Sequence, residues 1–234
     1  MYYSPIPEEA PYRDKTKEFS RHLTRAYGLM ALGLAVTFLV ALLTVKFLPS
    51  DLTFSFRLAV ILMVAEVVTV IAFSALLTRA RYGTILGMFF FYAVLNGVSI
   101  SYIFLCYNMD RIFLCFAAAA ISFAIMALLG HTTKRELSGL LGFFIAGLVG
   151  ILFLTLIGFF VRIPALEIFI SCIGLVLFLG ITAFDAQRLR RFYESASEDD
   201  AMTRKFAVYS ALQLYLDFIN IFFYLLRLFG RNRR

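Results

Sequence analysis

Residues 139–161, GLLGFFIAGLVGILFLTLIGFFV, run for 23 positions without a charged side chain. A bilayer's hydrocarbon core is about 30 Å thick, and an α-helix needs about 20 apolar residues to cross it. A helix on a soluble protein shows one apolar stripe and one polar face. Here apolar residues continue all the way round, so the stretch reads as a membrane span. Strands of a membrane β-barrel would alternate apolar and polar residues over about 10 positions. This run is continuous and twice as long, which excludes a barrel.

Six further stretches read the same way, and the seven predicted spans are 26–48, 57–77, 84–106, 112–130, 139–161, 165–184 and 206–228. The expected fold is all-α, a polytopic membrane bundle of seven transmembrane helices. The expected organisation is a polar N-terminal tail over 1–25, a transmembrane domain over 26–229 and a basic C-terminal tail over 230–234. The first twenty residues show no apolar core before a cleavage site, so they read as a flexible tail rather than a signal peptide.

Composition agrees. The chain is 62% hydrophobic and 16% charged, against about 45–50% and 25% for ordinary soluble domains. A water-soluble chain of 234 residues could not bury that much apolar surface.

The connections between spans are short and hold breakers or charges: Pro49-Ser50-Asp51, Arg79-Ala80-Arg81, Asn108 to Arg111, His131 to Glu136, and Arg162-Ile163-Pro164. Short connections favour antiparallel neighbours. One long polar connection is expected from about Gln187 to Lys205, including the acidic stretch ESASEDD at 194–200.

The net charge of +7 sits at span ends, where headgroups and topology account for it better than nucleic acid does. Arg13, Lys15, Lys17, Arg21 and Arg25 precede the first span. Arg79, Arg81, Lys134, Arg135, Arg188, Arg190, Arg191, Arg204 and Lys205 fall on the same side. The positive-inside rule then places the N-terminus in the cytoplasm. Seven crossings put the C-terminus outside although its tail is basic, so the sequence leaves open whether the last span crosses fully.

Cys106, Cys115 and Cys172 form no CxxC or Cys/His cluster and read as apolar packing residues. Small residues in spans, Gly28 with Gly33, Gly83 with Gly87, and Gly142, Ala146, Gly147 and Gly150, read as places of close helix approach.

The chemically informative positions are acids inside spans. A charge at the bilayer centre costs at least about 2.5–3.5 kcal/mol, so such residues face the bundle interior and find a partner. Glu66 lies in LMVAEVVTV, Asp185 in ITAFDAQRL and Asp217 in LQLYLDFINIFF. Gln213 and Asn220 lie one turn either side of Asp217 and share its face. Asp185 is expected to end its span, opposing the helix dipole, with Arg188 as a local partner. Arg79 and Arg81 are the nearest cations at the end of the second span. If Asp185 and Asp217 meet, two carboxylates in low dielectric would share a proton. Ionised, they could attract a divalent cation such as calcium, which prefers oxygen ligands.

Phe184-Asp185-Ala186-Gln187 and Leu214-Tyr215-Leu216-Asp217-Phe218-Ile219-Asn220 with Phe222 resemble signature motifs of the Bax inhibitor family, in a bacterial-type member. Tyr27 to Thr37, Leu95-Asn96-Gly97 and Pro164-Ala165-Leu166 resemble it too. The resemblance implies a seven-helix bundle with the last helix central. It also implies a pH-sensitive calcium leak channel with Asp185 and Asp217 as the pH sensor. An arginine of the second helix, Arg79 or Arg81, would help control closure, and Glu66 falls where members often have an acid. On this reading the chain is not an enzyme and needs no cofactor, and calcium is the permeant or transiently bound ion. The partners are the lipid bilayer, calcium ions and protons. The expected location is the bacterial cytoplasmic membrane.

The alternative is a non-conducting regulatory membrane protein that binds a membrane protease or a stress-response partner. An intramembrane aspartyl protease would need Gly-x-Gly-Asp, and Tyr215-Leu216 precedes Asp217 instead. A retinal protein would need a lysine inside span seven, and residues 206–228 hold none.

Overall fold

The computed structural model describes residues 15–48, 56–161, 163–195 and 201–230. Its helices are α1 (Lys15–Phe47), α2 (Phe56–Leu76), α3 (Tyr82–Ile100), α4 (Met109–Thr132), α5 (Leu141–Phe160), α6 (Pro164–Ser195) and α7 (Ala201–Phe229). A one-turn helix, Ile103–Cys106, follows α3, and a 3-10 turn, Ser138–Leu140, precedes α5. There is no strand among the described residues. Seven helices are long and apolar enough to cross a membrane, at the places the hydropathy pattern gives.

Local chemistry explains several ends. Pro164 opens α6, where its fixed φ suits the first turn and its missing N–H costs nothing. Asn108 precedes α4 with extended backbone, and Asp110 lies in the first turn, where a carboxylate complements the helix dipole.

Three boundaries differ from the sequence expectation. First, α6 does not stop near Asp185 but continues to Ser195. Gln187 to Ser195 and Ala201 to Lys205 are therefore helical, not connection. Hydropathy ends where the helix leaves lipid, but Gln, Leu and Arg are good helix formers and the backbone continues. The dipole argument about Asp185 lapses with this, because that residue is interior to its helix. Second, the chain is already helical at Lys15, the first described residue, within the stretch expected as tail. Third, the span expected over 84–106 is found as one segment, Tyr82–Cys106, but two turn residues, Ser101 and Tyr102, interrupt its helix. The rest of the expected tails, Pro49-Ser50-Asp51, Arg162 and residues 196–200 lie outside the described residues.

The last helix is the axis of the bundle. α7 packs against α1, α3, α4 and α6, while α2 lies outside on α3 and α5 outside on α6. In α7, 72% of the most apolar stretch is buried, against 11% in α2 and in α5. α7 also has the lowest hydropathy of the seven. A helix enclosed by protein can hold polar groups that a lipid-facing helix cannot. α7 is long enough to cross, since its 28 apolar-span residues measure about 42 Å at 1.5 Å per residue.

Close approach concentrates at glycines, though not mainly those the spacing suggested. Gly28, Gly83, Gly87, Gly142 and Gly150 have open space where a Cβ would stand, so the Gly83–Gly87 spacing is no helix contact. Gly33 and Gly147 do meet neighbours, Phe89 and Leu177. The tightest backbone contacts between helices are elsewhere. A Cβ on Gly97 would lie 2.8 Å from the Thr37 carbonyl oxygen, and one on Gly130 would run into the Ala183 backbone. These two positions let α3 touch α1 and α4 touch α6.

Candidate functional site

The helix that forms the axis presents buried polar groups on two of its faces. On the first face is Asp217, 3% exposed, and near it Asp185 of α6, 9% exposed. Asp185 is the charge that acts on Asp217, so the two carboxyls lie within each other's field. Asp217 Oδ2 is buried and has no hydrogen-bond partner among the described residues. Arg188, one turn along α6, is the cation that acts on Asp185. It is exposed, and its guanidinium lies 5.7 Å from the Tyr209 ring centre. The Gly130–Ala183 contact holds α4 against α6 two residues from Asp185.

This arrangement has a definite chemistry. Two carboxylates buried within each other's field repel, and a proton on either one removes that repulsion. Among the described residues no three His, Cys, Asp or Glu side chains converge. The pair therefore offers carboxylate oxygens from two residues only.

Other expected residues are not brought to the pair. Arg79 and Arg81 are exposed in the α2–α3 turn, and neither is among the charges acting on Asp185 or Asp217. The turn itself touches the start of α7, where Lys205 Nζ donates to the Thr78 carbonyl at 3.4 Å. Gln213 and Asn220 are half-buried. The Asn220 amide donates to the Leu216 carbonyl of its own helix at 2.8 Å.

Glu66 belongs to a second polar cluster, on the other face of α7. Ser99 Oγ donates to Glu66 Oε1 at 2.6 Å, and the Asn96 side chain bonds Glu66 as well. Tyr215 OH donates to Asn96 Oδ1 at 3.0 Å and touches Thr37 Oγ1 at 2.6 Å. Thr37 Oγ1 also reaches the Ala93 carbonyl at 2.9 Å. Each hydroxyl has one proton and a second acceptor, so either oxygen can donate in the Thr37–Tyr215 contact. The contacts run from α1 through α7 and α3 to the Glu66 carboxyl on α2.

The basic end carries a third set of contacts that sequence reasoning missed. Tyr27 OH and His131 Nε2 lie 2.7 Å apart, and Arg190 donates to the His131 carbonyl. The buried Gln187 accepts from Leu137 N at 2.9 Å and donates to the Arg135 carbonyl at 2.8 Å, tying α6 to the α4–α5 connection. The Arg191–Glu136 pair, at 3.4 Å, is solvated and adds little.

A seven-span bundle closed around a polar central helix defines a polytopic integral membrane protein. Residues 19–234 match the family described as Inhibitor of apoptosis-promoting Bax1, and the chain belongs to this Bax inhibitor family. It is 36% identical over 215 residues to inner membrane protein YbhL of Escherichia coli K12, covering 91% of this chain and 92% of that one. It is 34% identical over 214 residues to the uncharacterized protein RP147 of Rickettsia prowazekii, covering 91% and 90%. An uncharacterized protein of Borreliella burgdorferi is 32% identical over 219 residues, covering 92% and 93%.

Proposed function

We propose that this chain is a pH-sensitive leak channel for calcium or related cations, gated by protonation of the Asp185–Asp217 pair. The observation that carries this reading is the pair itself: two buried carboxyls across the α6–α7 contact, one with an oxygen that no hydrogen bond among the described residues satisfies. A proton on either carboxyl removes the repulsion between the two helices; its loss leaves two like charges pushing them apart. Such an element has two packings, which a proton-controlled gate requires. The ion would be cargo rather than a resident metal, and the chain would act without catalysis or cofactor. Its N-terminus would lie in the cytoplasm of a bacterial cell, as the basic loops at that end favour.

The test is calcium uptake into proteoliposomes across an acid-to-neutral pH series, wild type against Asp185→Asn. Wild-type uptake that varies with pH, and a variant that loses this variation, supports the reading. If neither protein passes calcium at any pH while a membrane protein copurifies, the chain is regulatory instead.

A further inference from the structure

A cavity of about 350 Å³ opens between α1, α4 and the break in α3. Ala31, Ala35 and Phe38 of α1, Phe104 beyond the break, and Phe113 and Phe116 of α4 form much of its wall. Ala31, Ala35, Phe113 and Phe116 are exposed, so the mouth lies on the outer, lipid-facing surface, continuous with exposed Leu32 and Leu39. The volume lies at the lower end of the ligand-pocket range of about 300–1,000 Å³.

The interior excludes polar occupants. Thr37 is the polar residue in the lining, and its hydroxyl is already engaged by the Ala93 carbonyl and Tyr215 OH. A cavity without free polar partners holds neither ordered water nor an ion. An apolar chain fits it, and the medium at the mouth is made of such chains.

One charged residue fixes which end of a lipid lies where. Arg111 is exposed in the first turn of α4, immediately before the lining residues Ile112 and Phe113. A helix end is a membrane boundary, so Arg111 stands at headgroup depth while the cavity descends beneath it. Asp110 is exposed beside it, which suits a headgroup bearing both signs. We propose that this groove holds one acyl chain of a zwitterionic glycerophospholipid, with its phosphate at Arg111. This site does not depend on whether the protein conducts ions.

The chain contains no tryptophan, so Phe104→Trp supplies a single indole in the groove wall. The full-length protein in detergent is titrated with phosphatidylethanolamine carrying brominated chains. Quenching should saturate at one lipid per chain, whereas Val67→Trp on the outer face of α2 should show no saturation. Ala35→Phe, added to fill the mouth, should weaken binding by roughly tenfold or more. Arg111→Ala should weaken it less, by roughly threefold. If Phe104→Trp does not fold, Phe113→Trp at the mouth gives the same reading. Equal quenching at the groove and at Val67→Trp, or affinity unchanged by Ala35→Phe, overturns the proposal. Brominated fatty acid binding as tightly as the phospholipid overturns the headgroup assignment. Native mass spectrometry of unsubstituted protein provides a separate check: one retained phospholipid is expected, and none contradicts the site.

Discussion

Tyr215 and Asp217 stand two residues apart on the same central helix, about 200° apart around its axis, and their surroundings are opposite. The Tyr215 hydroxyl is held by Thr37 and Asn96, and through Asn96 it connects to Glu66 and Ser99. Asp217 lies in the field of another carboxyl and has an oxygen with no hydrogen-bond partner among the described residues. A buried polar network with every member satisfied stiffens a fold, while one left unsatisfied is a liability unless it has a use. One face of α7 thus reads as a clasp across α1, α2 and α3. The other reads as the element that can switch. Both are built on backbone contacts that only glycine permits, Gly97 on the clasp side and Gly130 on the switch side.

The comparison can be broken at each of these residues. The largest effect is expected for Gly97→Val, which drives a side chain into the Thr37 carbonyl and pushes α3 from α1. Overpacking typically costs about 1–3 kcal/mol and occasionally more, and a rigid carbonyl in the way puts this case at the upper end, read as a lowered unfolding temperature in detergent. Stability equal to wild type would mean the clasp does not depend on that contact. Tyr215→Phe removes the hydroxyl but keeps the ring, and leaves Asn96 and Thr37 short of a partner. The expected loss is about 1–3 kcal/mol, with the pH response of calcium flux retained.

Asp217→Asn should do the reverse. At a pH where both carboxyls are ionised it removes a like-charge repulsion while keeping the shape, so stability there should stay within about 0.5 kcal/mol of wild type or rise. A large loss would show that the carboxylate has a stabilising partner, and the contrast between the two faces would fail. The smallest effects are expected for Arg79→Ala and Arg81→Ala, exposed substitutions worth under about 0.5 kcal/mol. Neither should move the pH profile of flux. A clear displacement by one of them would restore the arginine role that the family resemblance implies.

The spans were legible because a continuous apolar run of about 20 residues is long enough to cross a bilayer and too apolar to face water. Asp217 was legible for the same reason: a carboxylate in the middle of LYLDFIN has to be enclosed by protein, and α7 is the enclosed helix. The end of α6 was misread because hydropathy reports where the chain leaves lipid, not where its hydrogen bonds stop. The Arg residues after Asp185 end the first and continue the second. The clasp was not legible. Thr37, Glu66, Asn96, Ser99 and Tyr215 come from four helices, and no local spacing links residues that meet only when antiparallel helices pack. The motif Leu95-Asn96-Gly97 signalled family membership but not that Asn96 bridges Tyr215 and Glu66.

Calcium uptake into proteoliposomes across one pH series, for wild type, Asp217→Asn and Tyr215→Phe, separates a switching Asp217 face from a fixed Tyr215 face. Uptake should depend on pH for wild type and Tyr215→Phe, and be independent of pH for Asp217→Asn. A pH response retained by Asp217→Asn, or lost by Tyr215→Phe alone, would contradict this division of roles.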